Sequence, residues 1–120
     1  MSQYVYSVEL FDGASGGAKD GTVGAGETIE SAVIDVNSMR PLGQFASQLV
    51  VTGSGTVDVQ LWTSINGTDF VLYDTLFEDQ GATAGTIENH AFAVCTKFKV
   101  KVVETGGENG AVVSHWLGVQ

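Results

Sequence analysis

Apolar and polar residues alternate along several stretches of this chain. In the stretch 57–62, Val57, Val59 and Leu61 point to one side of the chain. Asp58, Gln60 and Trp62 point to the other side. A repeat of two residues is typical of a β-strand with one buried face and one solvated face. The predicted strands cover residues 3–11, 28–36, 44–52, 57–62, 70–77, 86–94, 97–103 and 111–120.

Turn residues separate these strands. Gly53-Ser54-Gly55 and Asn66-Gly67 suit tight turns, because glycine and asparagine tolerate positive φ. No helical pattern interrupts the series. The sequence therefore predicts an all-β fold, an antiparallel, jelly-roll-like β-sandwich of about eight strands, as a single domain over residues 1–120.

The first 26 residues allow two interpretations. Tyr4 and Tyr6 belong to the alternating segment 3–11, and residues 12–26 contain six glycines. The segment is either an ordinary sandwich strand with a loop, or an N-terminal arm plus glycine-rich loop that adds to a neighbouring subunit's sheet. The arm interpretation makes Tyr4 and Tyr6 partner-binding residues and predicts a folded domain after deletion of residues 1–11. The glycine loop itself is expected to be mobile or ordered by a partner.

The charge excludes two classes of partner. Five Lys and Arg against fourteen Asp and Glu give a net charge of −9. Nucleic acids and anionic membranes attract clustered positive charge, so neither is expected to bind. The start of the chain lacks the basic and apolar regions of a secretory signal, and no 18-residue apolar run occurs. We therefore expect assembly in a cytoplasm.

Candidate chemistry is sparse. Cys95 is the single cysteine and lies in an apolar run, so it reads as a small core residue. His90 and His115 lie on different strands without metal-ligand spacing. No Gly-x-Ser-x-Gly motif and no phosphate-binding loop occurs. The sequence predicts no catalytic, cofactor-binding or metal-binding residues, and hence no enzyme.

Three of the five basic residues fall in one row. Lys97, Lys99 and Lys101 share one face of the strand 97–103. One interpretation is an edge strand that lysines protect against unwanted pairing. The other is an electrostatic contact with an acidic neighbouring subunit.

Three aromatic residues fit either a surface or a core. Trp62, Tyr73 and Trp116 belong either to the sandwich interior or to outer faces, where they would contact a sugar or another subunit. Trp62 is the aromatic residue that we select as a partner-binding candidate.

Part of the chain resembles a known group of proteins. Val51-Thr52-Gly53-Ser54-Gly55-Thr56, followed by an alternating strand and Ser64-Ile65-Asn66-Gly67-Thr68-Asp69-Phe70, is similar to a pattern in small structural proteins of tailed bacteriophages. The strand beginning at Lys97 and the glycine turn after it resemble the same group. The resemblance covers about residues 29–120.

The resemblance implies a non-enzymatic virion protein with a β-sandwich fold. Within that group, a small acidic single-domain chain resembles a capsid decoration, or cement, protein. Such a protein sits on the capsid surface, commonly as a homotrimer, and contacts the major capsid protein or other virion subunits. The alternatives are a carbohydrate-binding module and a tail or baseplate subunit.

Overall fold

Two antiparallel β-sheets pack face to face and enclose the core between them. The computed structural model describes residues 6–36, 44–91 and 94–119. These residues form ten strands: β1 (Tyr6–Asp12), β2 (Thr22–Val23), β3 (Thr28–Glu30), β4 (Ile34–Asp35), β5 (Gln44–Gly53), β6 (Val57–Ser64), β7 (Val71–Gln80), β8 (Thr83–Ala91), β9 (Lys97–Glu104) and β10 (Ala111–Val119).

The strand order is that of a jelly roll. Sheet A runs β1-β10-β5-β8, and sheet B runs β3-β9-β6-β7. The short strands β2 and β4 pair with β10 and β9. Every pairing is antiparallel, and each sheet draws strands from both halves of the chain. The all-β sandwich expected from the sequence is confirmed.

The N-terminal segment is largely part of sheet A. β1 pairs with β10 from Tyr6 opposite Val119 onward, and a bulge lets both Leu10 and Phe11 reach the core. Within residues 6–12 the segment is therefore a sandwich strand. A deletion of residues 1–11 would remove two core side chains, so it is not expected to leave a folded domain. Residues 1–5, including Tyr4, lie outside the described residues.

Backbone hydrogen bonds fix the glycine-rich loop to the sandwich. The Asp12 amide donates to the Lys19 carbonyl, the Gly21 amide donates to the Gly13 carbonyl, and the Gly21 carbonyl accepts from the Val113 amide. β2 then pairs with the start of β10. The sequence did not predict this pairing, because local glycine content says nothing about contact with a distant strand.

The predicted strand 28–36 is divided in two. Between β3 and β4, the buried Ser31 bonds to Val100 twice: its amide donates to the Val100 carbonyl, and its hydroxyl accepts from the Val100 amide. Ser31 thus takes the place of a regular ladder residue, in keeping with the irregularity of the sequence there. The interval between the predicted strands 70–77 and 86–94 shrinks to Gly81 and Ala82, because β7 and β8 extend into it from both sides.

The lysine row does not lie on an edge. β9 pairs with β6 on one side and with β3 and β4 on the other, so it is an interior strand of sheet B. The edge-protection interpretation of Lys97, Lys99 and Lys101 is therefore wrong. The predicted facing is correct, since Phe98, Val100 and Val102 point into the core.

Inward-facing residues of the central strands make up most of the core. The alternating burial of β5, β6, β9 and β10 shows that one side of each strand is removed from water. Cys95 packs half-buried against this cluster, and burial raises the pKa of its thiol. The core side chains include Leu10, Phe11, Phe45, Leu49, Val51, Val57, Val59, Leu61, Leu76, Phe77, Phe98, Val100, Val102, Val113 and Leu117.

We predict that Gly21→Ala destabilises the domain. A Cβ at Gly21 would overlap the Val113 carbonyl oxygen, so the backbone that joins the loop to β10 must shift. The expected loss is more than about 2 kcal/mol of unfolding free energy in urea denaturation. Gly17→Ala is the matched control, because its Cβ would meet no atom within 4 Å. Equal stability of the two variants would contradict the prediction.

Candidate functional site

A cluster of aromatic and charged side chains covers the outer face of sheet B. Trp62 on β6 lies opposite Lys99 on β9. The Lys101 Nζ lies 3.8 Å from the centroid of the Trp62 ring, and the Lys99 Nζ lies 4.7 Å from that of Phe70. Both distances are in the range of cation–π interactions. We call this group, together with Glu30, the lysine–aromatic cluster.

Glu30 joins the two lysines of the cluster. Its Oε1 lies 3.0 Å from the Lys99 Nζ and 3.2 Å from the Lys101 Nζ. Hydrogen bonds from Lys99 first, and then from Lys101, lower the pKa of the Glu30 carboxyl. The lysine side chains are only 18% and 23% exposed, while that of Glu30 is 48% exposed. One carboxylate against two ammonium groups leaves the cluster with a net positive charge.

The other predicted contact residues are dispersed. Trp62 and Trp116 are half-buried on the outer faces of different sheets, so the core interpretation does not hold for either. The Trp116 Nε1 donates to the Glu9 carboxylate at 3.3 Å. Tyr73 sits in an irregular part of β7 and is 46% exposed. Tyr6 is described only as the first residue of β1.

The core contains one serine–histidine pair that the sequence analysis did not identify. The Ser47 Oγ lies 2.6 Å from the His115 Nε2, and both residues are fully buried. A nucleophile and its base have this spacing in hydrolases. The His115 Nδ1, however, has no partner among the described residues, so no acid orients the ring. With no access from solvent, the pair is a structural contact between β5 and β10.

A buried carboxylate holds three loops together at one end of the sandwich. Glu104 Oε1 accepts from the amides of Gly26 and Gly107 at 2.9 and 2.6 Å. Its Oε2 accepts from those of Thr56 and Gly106 at 3.0 and 2.8 Å. These bonds, led by those from Gly26 and Gly107, lower the pKa of Glu104 to about 2. The sequence analysis missed this site because it counted Glu104 only in the total charge.

The opposite end carries an exposed apolar pocket of about 410 Å³. Ile65, Val71 and Val94 line it and are 74%, 67% and 93% exposed. The polar groups beside it are occupied, since the Asn66 amide donates to Asp69 at 3.0 Å and its carbonyl caps the turn. The pocket therefore offers apolar contact rather than chemistry.

The described part of the chain contains neither a group of metal ligands nor a membrane-spanning helix. Within residues 6–36, 44–91 and 94–119, no three His, Cys, Asp or Glu side chains group as metal ligands. No helix in the same ranges is long and apolar enough to cross a membrane.

Comparison with known proteins relates the fold to viral particles. No family model matches the sequence, and no curated protein sequence matches it. A chain in the structure of infectious bursal disease virus, Gx strain, aligns with a TM-score of 0.58 and 19% identity over 97% of this chain and 31% of that chain. The VP2 subviral particle of infectious bursal disease virus aligns with a TM-score of 0.56 and 17% identity over 98% and 33%.

The similarity to these proteins is limited in coverage and in sequence identity. The chain spans about a third of the length of the proteins that it matches. At such low identity, the alignment establishes a shared β-sandwich fold.

The burial of His115 predicts a step in the free energy of unfolding between pH 7 and pH 5. Burial, with a smaller effect of His90, lowers the pKa of His115 to about 3. The unfolded histidine has a pKa of about 6.5, so the unfolded state binds the extra proton between pH 6.5 and 3. Unfolding free energy should therefore fall by about 2 kcal/mol from pH 7 to pH 5.

Urea denaturation of His115→Gln and His90→Gln at the two pH values checks this step. His115→Gln should lose most of the step, and the matched control His90→Gln should keep it. An unchanged step in His115→Gln would show that another group causes the pH dependence.

Replacement of Glu104 should destabilise the end of the sandwich at which the three loops meet. In Glu104→Gln an amide NH₂ would face backbone N–H groups, so two or more of the four bonds would be lost. We expect the thermal midpoint at pH 7 to fall by about 5 °C or more. The exposed Glu108→Gln in the same loop is the control and should change it little.

The lowered pKa of Glu104 also predicts that its stabilising effect is lost in acid. Because the pKa of Glu104 is lowered, its stabilising effect is complete above about pH 4.5 and is lost as pH falls toward 2. The difference in thermal midpoint between the wild type and Glu104→Gln should therefore narrow over this range. A constant difference would contradict the role of the charge.

Proposed function

We propose that this chain is a non-enzymatic structural protein of a virion. Within that class, we propose a decoration, or cement, protein that binds the outside of a capsid shell and stabilises it. Its partners are the major capsid protein or other virion subunits, together with further copies of itself, for which the bacteriophage resemblance implies a trimer.

The fold is the observation that carries this proposal. Nearly the whole chain superposes on a β-sandwich in proteins from structures of a virus and a subviral particle. Fold alone does not define a function, so the chemistry of the sites must agree with it. The one nucleophile–base pair among the described residues is sealed in the core, and the exposed polar groups around the apolar pocket bond to each other.

We assign shell binding to the lysine–aromatic cluster. It is a basic area on a chain of net charge −9, and it includes Trp62, Lys99 and Lys101. A basic area attracts an acidic neighbouring subunit. Lys97 continues the row beside Asp35, its register partner on β4. Tyr4 and Tyr6 remain proposed partner-binding residues.

The carbohydrate-binding alternative receives less support from these residues. A sugar stacks on an open aromatic face, but the Lys101 ammonium lies over one face of the Trp62 ring. Trp116 is half-buried and bonded to Glu9. A tail or baseplate location remains an alternative to the capsid surface, because the same basic surface suits either neighbour.

The proposal predicts direct binding to shells. Purified chain should be mixed with capsid shells that were assembled without it, from the virus that encodes it. It should co-sediment with these shells to saturation and raise the temperature at which they are disrupted. Lys99→Gln/Lys101→Gln should weaken binding at least about tenfold, and added salt should reduce the affinity of the wild type.

Lys19→Gln is the matched control, since Lys19 pairs with Glu9 on sheet A at 3.5 Å and lies outside the cluster. It should bind as the wild type does, and circular dichroism should show that all variants are folded. Absence of binding to shells would overturn the decoration role. Binding to a glycan array, or to isolated tails, would favour the corresponding alternative.

A further inference from the structure

Three strands of sheet A, β10, β5 and β8, differ in charge from the rest of the molecule on their outer side. Across β10, β5 and β8, the alternation of buried positions and the strand register define which residues point outward. None of these outward residues is charged, although the chain has nineteen charged side chains, fourteen acidic and five basic. They are Val112, Ser114, Trp116, Gly118, Gln44, Ala46, Gln48, Val50, Thr52, Gly85, Ile87, Asn89 and Ala91. We call this surface the uncharged face.

Charged groups lie at its borders only. Glu9 and Asp12 are on β1 at one side, where Lys19 pairs with Glu9. At the other side, Glu88 on β8 lies opposite the buried Ser47, so it belongs to the inner rim of the sandwich and not to this face. Sheet B, in contrast, carries the lysines and Glu30 on its outer face.

The face shares with the centre of a protein interface the absence of charged residues and the presence of an aromatic side chain, Trp116. Such centres are depleted of charged residues and enriched in aromatic ones. Trp116 on β10 lies between Gln48 of this face and Glu9 of the bordering β1, and Ile87 on β8 is 64% exposed. Ala46 lies opposite Gly118, and these small residues leave the face flat beside Trp116.

Charge identifies the occupant as a second copy of this chain. Two molecules of net charge −9 repel one another over most approaches. The repulsion is smallest where the facing surfaces carry no charge, because the acidic groups are then kept at the borders and are screened by salt. An oppositely charged partner would gain nothing from this face.

The area is sufficient for a reversible contact. Strands about 4.8 Å apart with a rise of about 3.3 Å per residue give the three strands a flat area of roughly 400 Å². Two copies would bury about twice that, which is in the range of weak, reversible contacts.

We propose that the uncharged face is the surface through which copies of this chain associate. The inference rests on the proposed structural role, in which self-association is expected, and it names the surface involved. Sheet A is then occupied by a second copy, while the lysine–aromatic cluster on sheet B remains open to the shell.

Light scattering and sedimentation of the free protein over about 5–500 µM test the proposal. The mass should rise with concentration to two chains, because a face that contacts its own copy closes as a dimer, and salt should strengthen the association. Ile87→Glu should weaken it at least about tenfold, because it places charge inside the contact. Asn89→Glu, at an exposed position on the same strand, should do likewise.

Leu72→Glu is the matched control, since Leu72 is 42% exposed on sheet B opposite Trp62. It should associate as the wild type does. A monomer at every concentration, or an oligomer that neither Ile87→Glu nor Asn89→Glu weakens, would overturn the proposal. Shell co-sedimentation of the same proteins is scored separately, so a monomer that still binds shells refutes this face alone.

Discussion

Each sheet of this protein has one apolar side, and neither side is stable in water unless it covers the other. This mutual burial fixes the positions of the central strands β5, β10, β6 and β9. Everything else is attached to that frame: the loops held by Glu104, the contact of Ser47 with His115, and the outer faces that remain for partners. A change that separates the sheets would therefore remove the surfaces together with the fold.

The sequence was informative where structure follows from local pattern. The alternation around Val57 and around Val100 correctly gave both the strands and their inward faces. It did not reveal that β9 is an interior strand, because strand order depends on pairing between residues far apart in the chain. The same reason hid the site of Glu104, whose carboxylate bonds to Gly26 across 78 positions. A histidine at an inward position, such as His115, was the available sign of a buried polar contact.

The two outer faces differ in their chemistry. Sheet B combines aromatic rings with ammonium groups, and β10, β5 and β8 of sheet A present uncharged side chains. Charged contacts respond to salt and steer an approaching partner, whereas uncharged flat surfaces depend on exclusion of water. A single small sandwich can therefore meet two different neighbours through surfaces that do not compete with each other.

The pairing of β1 with β10 has a consequence for biosynthesis. Among the described strands, β1 is the first to leave the ribosome, but its partner β10 is the last. Until β10 emerges, Leu10 and Phe11 have no sheet to enter, and the growing chain exposes unpaired edges. Folds dominated by such distant pairings form slowly, on a scale of about milliseconds to seconds. Copies made on neighbouring ribosomes are thus exposed to exchange of strands with each other before each chain closes its own sandwich.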